Sequence, residues 1–534
     1  MMKTVITTCI ALLLSAALVS QSGLDKREIL VEKEYSDEIY NVNPIFDYAS
    51  ITVPRKIQPK FLRDSLISIS PFTPDIDIAI KPVAYKNQGD NNQHHGFIKV
   101  DKGTLNPLYA QGGYTYTAAN YFNLTAAAGY DNRRDNSIED KHIQQIGGSV
   151  DMDYYLNKET KTDISISYDR STFGLFSELD ERTGSEVAYD NVSVGLGVRS
   201  FRTTPNHWNY RGHFDFDTWS SSTDDLNDRS FHTIGQVAYM VNDTWDFTFT
   251  PEYKVLTSDA FGSGSTLHGA IQAGYDIERF YAKAGIRLDR FGDRTVLWPD
   301  LDVRWNSGQA VDIYLRSQTS TEIWGGSFLT SINPYTSFSG LSSTERNISL
   351  DRNLEVAVKA DLPRDILVTF KVGFSDADDQ PNFIASDLDQ RLFDIATIDY
   401  QRLHLTVDVA KSLWDQTVET GLRIRYNKYD VQEGILFNRP LFSVHPRIQT
   451  SLLGDKLSFS LDGLFNSPIT YNLNQGIEVN SGWRAQISTG LSYKVLDRLS
   501  LQVDLDNILN DDFEVWQGYD VFGRNISGGV IVKL

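Results

Sequence analysis

Apolar and polar residues alternate one by one along most of this chain, from about residue 95 to its end. In the stretches 164–168 and 499–505, every second residue is Ile, Leu, Val or Tyr, and Ser, Gln or Asp stands between them. Successive side chains of a β-strand point to opposite faces, so a period of two indicates strands with one apolar and one polar face. The chain is therefore predicted to be all-β over most of its length.

The connections between the predicted strands alternate between short and long. Short ones lie at 242–243, 363–365, 453–456 and 496–498. Longer polar ones lie between them, at 131–140, 177–187, 219–229, 257–265, 325–346, 375–388, 429–439, 467–479 and 508–523. Transmembrane β-barrels show this alternation because one set of turns faces the periplasm and the other faces the outside. We therefore predict a transmembrane antiparallel β-barrel with short periplasmic turns and long extracellular loops.

The number of strands follows from these connections. Strands placed between them run from 95–103 to 524–534 and number about 22, provided that 389–411 is a single long strand. Bacterial barrels have an even number of strands, which agrees with this count. Several predicted strands exceed the ~9–11 residues that cross a membrane, so we expect the sheet to extend past the outer surface.

Composition excludes several other classes of protein. The chain has 534 residues, but no linker and no change in its sequence pattern occurs after about residue 90. This favours one repetitive architecture over several soluble domains. No segment after the N-terminus approaches the roughly 20 apolar residues of a membrane-spanning helix. The net charge of −20, without a cluster of Lys and Arg, argues against nucleic acid as a partner.

The N-terminal region differs from the rest. Residues 1–22 are typical of a secretory signal peptide, with Lys3 followed by a short apolar run and then small and polar residues. Cys9, the only cysteine, lies inside this segment, so the mature chain is predicted to have no thiol and no disulfide. Residues 23–90 are charged and proline-rich, and we interpret them as a periplasmic arm or a reduced plug. The barrel is predicted to occupy 91–534.

Aromatic residues make up 12% of the chain, and many stand near predicted strand ends. Transmembrane barrels carry such residues in girdles at the two membrane interfaces. Aromatic packing in a soluble β core is the alternative interpretation. The candidates for the girdles are Tyr154, Tyr155, Phe201, Trp208, Trp219, Trp245, Trp298, Trp324 and Trp414.

The C-terminal stretch resembles the closing strands of TonB-dependent outer-membrane receptors. An alternating strand at 499–506 precedes Asn507-Ile-Leu-Asn510, then Trp516-Gln-Gly-Tyr519, then a Gly-Arg-Asn-Ile strand that ends at Leu534. Gly96-Phe-Ile-Lys-Val, followed by Leu105-Asn-Pro-Leu108, is similar to the first hairpin of a plug-less subgroup of these receptors. The resemblance implies a Gram-negative outer-membrane protein of the receptor and transport class.

Two features depart from the receptor pattern. The chain ends in Leu534, whereas those receptors end in an aromatic residue, and the arm at 23–90 is shorter than their plug domain. Residues 27–35 are faintly similar to the segment that contacts TonB, although a charged strand of the arm is the preferred interpretation. The chain is therefore expected to match the plug-less subgroup, and engagement of TonB stays open.

No residue is assigned a catalytic, cofactor-binding or metal-binding role from the sequence. A lipase of the outer membrane needs a Ser/His pair on neighbouring strands near the interface. His404 lies on the predicted inward face without such a serine, and His94-His95 adjoin a polar turn, where neighbours on a strand would point opposite ways. We therefore predict that the chain is not an enzyme.

Two groups of carboxylates fall in predicted outer loops. They are Asp224, Asp225 and Asp228 in one loop, and Asp376, Asp378 and Asp379 in another. Oxygen-rich loops bind Ca²⁺, but these lack the ordered spacing of a calcium loop, so solvated loop tips are the preferred interpretation.

The leading functional hypothesis is an outer-membrane receptor or transport barrel that binds or admits an unidentified solute. Because acidic residues outnumber basic ones on the inward face, an open lumen would prefer cations. The alternative is a structural or assembly barrel that partners a lipoprotein or a periplasmic protein, since so wide a barrel needs something to fill it: the arm, an inward-folded loop such as 325–346, or the partner. Outer-membrane lipid and lipopolysaccharide are the other expected partners.

Overall fold

The computed structural model describes residues 93–534 except 119–121, 139, 158, 177–184, 201–206, 309–310, 339–347, 364–365, 414–416, 455 and 474–476. The predicted signal peptide and the arm therefore lie outside the described residues. The strands are β1 Gln93–Gly103, β2 Leu108–Ala118, β3 Phe122–Arg134, β4 His142–Asn157, β5 Thr160–Gly174, β6 Glu186–Ser200, β7 His207–Ser221, β8 Leu226–Met240, β9 Trp245–Ser258, β10 Gly262–Ile277, β11 Phe280–Phe291, β12 Arg294–Asn306, β13 Val311–Ile323, β14 Ile348–Leu362, β15 Ile366–Ala385, β16 Phe393–Leu413, β17 Val418–Val431, β18 Phe442–Leu452, β19 Leu457–Asn466, β20 Thr470–Leu473, β21 Ile477–Asn480, β22 Arg484–Leu496, β23 Leu499–Asp506, β24 Glu514–Trp516, β25 Tyr519–Asp520 and β26 Asn525–Lys533. One helix, α1, spans Gly326–Ile332.

These strands form one closed antiparallel barrel of 22 strands. Each strand pairs with its neighbours in sequence, and β26 pairs with β1 to close the ring. Two short hairpins, β20–β21 and β24–β25, stand apart from the barrel sheet. The predicted fold class and the strand count of 22 are confirmed, including the single long strand β16 at Phe393–Leu413.

The two ends of the barrel differ as the connections predicted. At one end, which we call the turn end, successive strands are joined by two to six residues, as between β4 and β5 or β22 and β23. The opposite end, which we call the loop end, carries the long connections, such as those at 324–347, 467–483 and 507–524. Strand β1 begins and β26 ends at the turn end, so both termini of the barrel lie there.

The outward face of the barrel is apolar. Large hydrophobic side chains such as Ile271 and Leu297 are 66% and 63% exposed, which a soluble surface avoids over so wide an area. Exposed aromatics near strand ends mark the turn end, including Trp208, Trp245 and Tyr154 from the predicted girdles. The predicted transmembrane barrel is therefore confirmed, because lipid is the solvent that such a face requires.

None of the helices in the described part of the chain is long and apolar enough to cross a membrane.

The tallest part of the wall is formed by β15 and β16, which have 20 and 21 residues. Crossing the membrane takes about 9–11 residues, so these strands continue past the apolar face at the loop end, as expected.

Several predicted connections are shorter than expected because the strands on either side continue further. The turn between β7 and β8 is confined to 222–225 rather than 219–229, and that between β9 and β10 to 259–261 rather than 257–265. The loop placed at 375–388 is at 386–392, since strand pairing with β14 and β16 continues past Asp376. The short helix α1 was not expected, and it lies in the predicted loop 325–346.

Candidate functional site: the mouth of the barrel

The loop end is filled by a cluster of buried, mostly aromatic side chains, which we call the mouth cluster. Its members come from the upper ends of several strands and from two long connections, and they are Ile143, Phe173, Leu175, Val187, Tyr189, Trp219, Phe261, Trp324, Leu329, Tyr335, Phe338, Phe383, Phe393, Ile395, Trp516 and Tyr519. On β5, β6 and β7 the exposed large apolar side chains occupy even positions, whereas Phe173, Tyr189 and Trp219 occupy odd ones, so these three point into the lumen. The cluster therefore lies inside the mouth.

One connection crosses this mouth. The segment 324–338 follows β13 and contains α1, yet its contacts lie far around the ring. The Tyr189 hydroxyl on β6 donates to the Pro334 carbonyl over 2.8 Å, and the Trp219 ring on β7 lies 5.4 Å from the Phe338 ring. Farther along the wall, the Phe393 amide on β16 donates to the Tyr335 carbonyl over 2.9 Å. Because β6–β7 and β16 are well separated in the strand order, segment 324–338 spans the opening.

The last long connection meets this segment in the middle of the mouth. Tyr519, in the β24–β25 hairpin, stacks on Tyr335 with ring centroids 3.5 Å apart and an angle of 13° between the planes. Its hydroxyl donates to the Arg391 carbonyl over 2.6 Å. Trp516 contacts the rings of Phe383 and Phe393 at 5.4 and 5.5 Å. Two connections from different parts of the chain thus close the mouth by packing against each other.

Burial leaves these two tyrosines neutral. The surrounding apolar side chains disfavour the charged phenolate and raise the pKa of Tyr335 above its usual value. The pKa of Tyr519 is raised well above its usual value, by burial first and then by the proximity of Tyr335. The stack is therefore an uncharged contact at neutral pH, held by packing and by the hydroxyl bond to Arg391.

The upper half of β13 carries segment 324–338 inward. Pairing of β13 with β12 stops at Ser317, while pairing with β14 continues to Ile323. Above that point β13 contacts the inner faces of strands farther along the wall. Thr319 donates to Asp289 of β11 over 2.5 Å, and the Thr321 hydroxyl lies 2.9 Å from His268 Nε2 of β10. The strand therefore departs from the wall at Ser317 and leans into the lumen.

Charged contacts hold the same part of the chain. Lys254 of β9 forms an ion pair with Glu322, and Asp228 of β8 accepts a hydrogen bond from the Gly326 amide at the start of α1. We call the four contacts made by Asp228, Lys254, His268 and Asp289 the inner-wall contacts. They join strands β8–β11 to the upper half of β13 and to the start of α1, so polar contacts as well as the mouth cluster set the position of segment 324–338.

The inner-wall contacts belong to a longer polar network. His213 Nε2 lies 2.8 Å from Asp215, His232 lies between Asp215 and Glu252 at 3.4 and 3.2 Å, and His268 Nδ1 lies 2.7 Å from Asp289. These histidines are each paired to carboxylates rather than gathered around one point. Within the described residues, no group of three or more His, Cys, Asp or Glu side chains is arranged to hold a metal ion.

The structure relocates several residues that the sequence singled out. Asp224 and Asp225 do lie in a turn at the loop end, but Asp228 lies in β8, 3% exposed, beneath α1. Asp376, Asp378 and Asp379 lie in β15 rather than in a loop tip. Since Arg352 pairs with the first two of these at 2.7 and 2.8 Å, and Arg294 with Asp379 at 2.6 Å, they are partnered wall residues.

Some of the predictions for the histidines and the aromatic residues agree with the structure, and others do not. His404 is on the inner face as predicted, 3.4 Å from Glu355. His94 and His95 lie at the start of β1, and the polar turn expected before them lies outside the described residues. Trp219 and Trp324 belong to the mouth cluster, and Trp298 donates to Ser317 over 2.9 Å inside the lumen, so none of the three is in a girdle. Tyr155 packs against Lys161. Phe201 and Trp414 lie outside the described residues.

An inward-folded loop at 325–346 was one of the predicted candidates to fill the barrel, and segment 324–338 does cross the mouth, but the mouth cluster as a site was not predicted. The Trp516-Gln-Gly-Tyr519 motif was recognised, but as part of the closing strands. Tyr335 and Phe338 lie in a connection without regular periodicity, so no pattern signalled that they are buried. The available signal was a loop that contains Phe328, Tyr335 and Phe338, because solvated loops rarely hold so many large aromatic side chains.

Solved structures with the same architecture identify the class of barrel. The FrpB iron transporter from Neisseria meningitidis has a TM-score of 0.66 at 9% identity, covering 83% of this chain and 82% of that chain. The siderophore receptor PirA from Acinetobacter baumannii has a TM-score of 0.65 at 8% identity, covering 84% and 81%. This chain has the fold of the TonB-dependent outer-membrane receptors.

A third similar structure is the ferric enterobactin receptor PfeA from Pseudomonas aeruginosa, with a TM-score of 0.62 at 8% identity, covering 84% of this chain and 81% of that chain. Similarity at identities this low establishes the fold of the barrel alone. The similar proteins are described as an iron transporter and as receptors. No family model matches the sequence, and no curated protein matches it.

Proposed function

We propose that this chain is an outer-membrane receptor that binds a solute at its loop end and admits it through a mouth that opens. The observation that carries the proposal is the stack of Tyr335 on Tyr519, which joins two connections across the opening. The similar structures include an iron transporter and siderophore receptors, which supports a role in solute uptake for a barrel of this fold.

The mouth has the features of a movable closure. Segment 324–338 follows β13, whose pairing with β12 stops at Ser317, and it is held by side-chain contacts and one isolated backbone bridge to Phe393 rather than by the continuous backbone pairing of the barrel. Such contacts are individually worth about 1 kcal/mol and can exchange for contacts with a ligand, whereas the barrel ladder cannot be broken locally at that cost. A solute that contacts the mouth cluster would therefore displace this segment and leave the barrel intact.

The N-terminal region is proposed to act from the periplasmic side. Because β1 begins at the turn end, a chain that precedes Gln93 reaches the barrel there. We propose that residues 1–22 are a signal peptide and that 23–90 are an arm, which acts either as a reduced plug or as a docking segment for a periplasmic partner. In this proposal, residues 91–534 form the barrel.

Conductance across planar lipid bilayers tests the closure. The purified full-length protein should conduct poorly, and replacement of both tyrosines, Tyr335→Ala with Tyr519→Ala, should raise single-channel conductance severalfold. Tyr426→Ala, which changes an exposed side chain on the lipid face of β17, is the matched control and should leave conductance unchanged. Equal conductance in the wild type and the double variant would contradict a closure at the mouth cluster.

A scaffold that partners a lipoprotein or a periplasmic protein is the second candidate function. It is favoured by the wide lumen of 22 strands, which a partner would fill at the turn end. Affinity purification of the full chain from its native membrane distinguishes the two. The scaffold is supported if a protein partner copurifies in stoichiometric amount and the tyrosine variants conduct as the wild type does. The receptor is supported if a small solute copurifies and the tyrosine variants conduct more than the wild type.

A further inference from the structure

Strands β17 and β18 carry a group of basic side chains on the inner face of the barrel. We call Arg423, Arg425, His445 and Arg447 the basic patch. Leu422 and Tyr426 are exposed on the lipid face, and the alternation of a strand therefore directs Arg423 and Arg425 into the lumen. His445 lies directly across from Arg423 in the ladder, and Arg447 is the next inward residue of β18.

Carboxylates pair with only part of this patch. Arg423 forms an ion pair with Asp408 of β16, and Arg447 lies 3.8 Å from Asp462 of β19. In the described part of the chain, Arg425 has no carboxylate within ion-pairing distance. Arg423 and Arg402 are positive groups near it, and the nearby carboxylate of Asp408 already pairs with Arg423.

Like charges at this spacing are unfavourable without a counterion. Arg423 and Arg425 are two residues apart on one strand, which places their Cα atoms about 7 Å apart. The residue across the ladder from Arg425 is Thr406 on β16 and Ser443 on β18, and neither can neutralise it. The guanidinium, which presents several N–H donors in a plane, therefore stays available to an anion.

The patch stands out because the opposite wall is acidic. Eight to ten strands away around the ring of 22, β4 and β5 direct Asp151, Asp153 and Asp163 into the lumen, where Lys161 pairs with Asp153 over 2.6 Å. The chain as a whole has a net charge of −20. A general excess of acidic residues thus does not attract anions to the lumen, whereas the basic patch on β17 and β18 does so locally.

We propose that the basic patch binds the anionic group, a carboxylate or a phosphate, of a small water-soluble solute inside the barrel, with Arg425 as the principal donor. Arg423 and His445 flank the site. This inference rests on the proposed uptake function only for the biological role of the site. Binding of an anion to the basic patch is measured without transport.

Equilibrium dialysis with radiolabelled inorganic phosphate tests the site on the purified full-length protein at constant ionic strength. The wild type should bind phosphate saturably at one site per chain, and Arg425→Gln should weaken this binding by about tenfold or more, as expected for loss of a charge-assisted hydrogen bond. The matched control is Arg304→Gln, which removes another half-buried arginine of the lumen, one that pairs with Asp302 at 2.9 Å. It should bind phosphate as the wild type does.

A second variant tests the site independently, in case Arg425→Gln does not fold. Ser443→Asp keeps Arg425 and places a carboxylate directly across the ladder from it, so it should compete with phosphate and weaken binding to a similar extent. Absence of saturable binding in the wild type would overturn the proposal, as would equal weakening in Arg425→Gln and Arg304→Gln. Neither result would alter the conductance of the mouth variants, so failure here is separate from failure of the receptor proposal.

Discussion

The ring of Tyr335 lies parallel to the ring of Tyr519 at a centroid distance of 3.5 Å, although 184 positions separate them in the chain. Tyr335 belongs to the connection after β13, and Tyr519 to the connection before β26. The contact joins two segments that leave the wall at different places, and both rings are almost fully buried, at 4% and 1% exposure. This pair of side chains therefore links the two connections that meet in the mouth.

Truncation of Tyr519 should destabilise the mouth cluster without unfolding the barrel. Tyr519→Ala removes the stack and the hydroxyl bond to Arg391, and a large-to-small change at a buried aromatic costs about 3–5 kcal/mol locally. We expect rapid proteolytic cleavage within 324–338, measured by limited proteolysis and mass spectrometry. The barrel should retain its β-sheet circular dichroism, and Tyr239→Ala, in the turn-end half of β8, should leave the cleavage rate unchanged.

Removal of the carboxylate beneath α1 should loosen the same segment. Asp228→Asn weakens the bond accepted from the Gly326 amide, and a hydrogen bond to a charged group is worth about 1.5–3 kcal/mol. Faster hydrogen exchange at 326–332 is the expected result, measured by mass spectrometry. Asp225→Asn, an exposed turn residue nearby, provides the comparison, and identical exchange in both variants would show that Asp228 does not hold the helix.

The apolar outer face predicts a strong dependence on position for charged substitutions. Ile271→Arg in β10 places a cation on the lipid face, which costs about 2–4 kcal/mol near the bilayer centre. Leu388→Arg changes a residue of similar exposure, 72% against 66%, in a connection at the loop end and should cost almost nothing. Denaturant unfolding in lipid vesicles measures the difference. Equal effects would contradict the assignment of β10 to the membrane.

Alkaline pH should weaken the mouth cluster. Burial raises the pKa of Tyr335 and Tyr519 above the ordinary value of 10.0, so folding favours their neutral forms. That contribution is complete below pH 10 and is lost as the pH rises toward the raised values. Conductance should increase above about pH 10, and the double variant Tyr335→Phe with Tyr519→Phe, which cannot ionise there, should show a smaller increase. A pH profile that the phenylalanines leave unchanged would rule out these tyrosines as its origin.

The barrel was predictable because the features that specify it, strand alternation and turns, are local in the sequence. Alternation at 164–168 and 499–505 assigns one face of each strand to lipid, and turns such as 453–456 mark the reversal of the chain. Errors arose where pairing continues beyond the lipid: Asp376 and Asp378 have loop-like composition, yet Asp376 pairs with both β14 and β16, and Asp378 pairs with β14. At these positions, pairing with the neighbouring strands outweighed the low strand propensity of aspartate.

The mouth was not predictable for a different reason. Trp219 and Trp324 were assigned to an interfacial girdle, because an aromatic residue near a strand end has the same sequence pattern whether it faces lipid or lumen. Asp228 was assigned to a loop tip because the sequence does not show that a helix amide from position 326 will reach it.

By itself, the sequence determined an all-β barrel, its strand count and the difference between its two ends, since period-two alternation and turn residues act within a few positions along the chain. Only the tertiary structure decided that segment 324–338 crosses the opening, that Tyr335 meets Tyr519, and that Arg425 stands among like charges. These relationships join strands that are distant in sequence but adjacent or opposed around the ring. They depend on closure of the sheet, which no local pattern records.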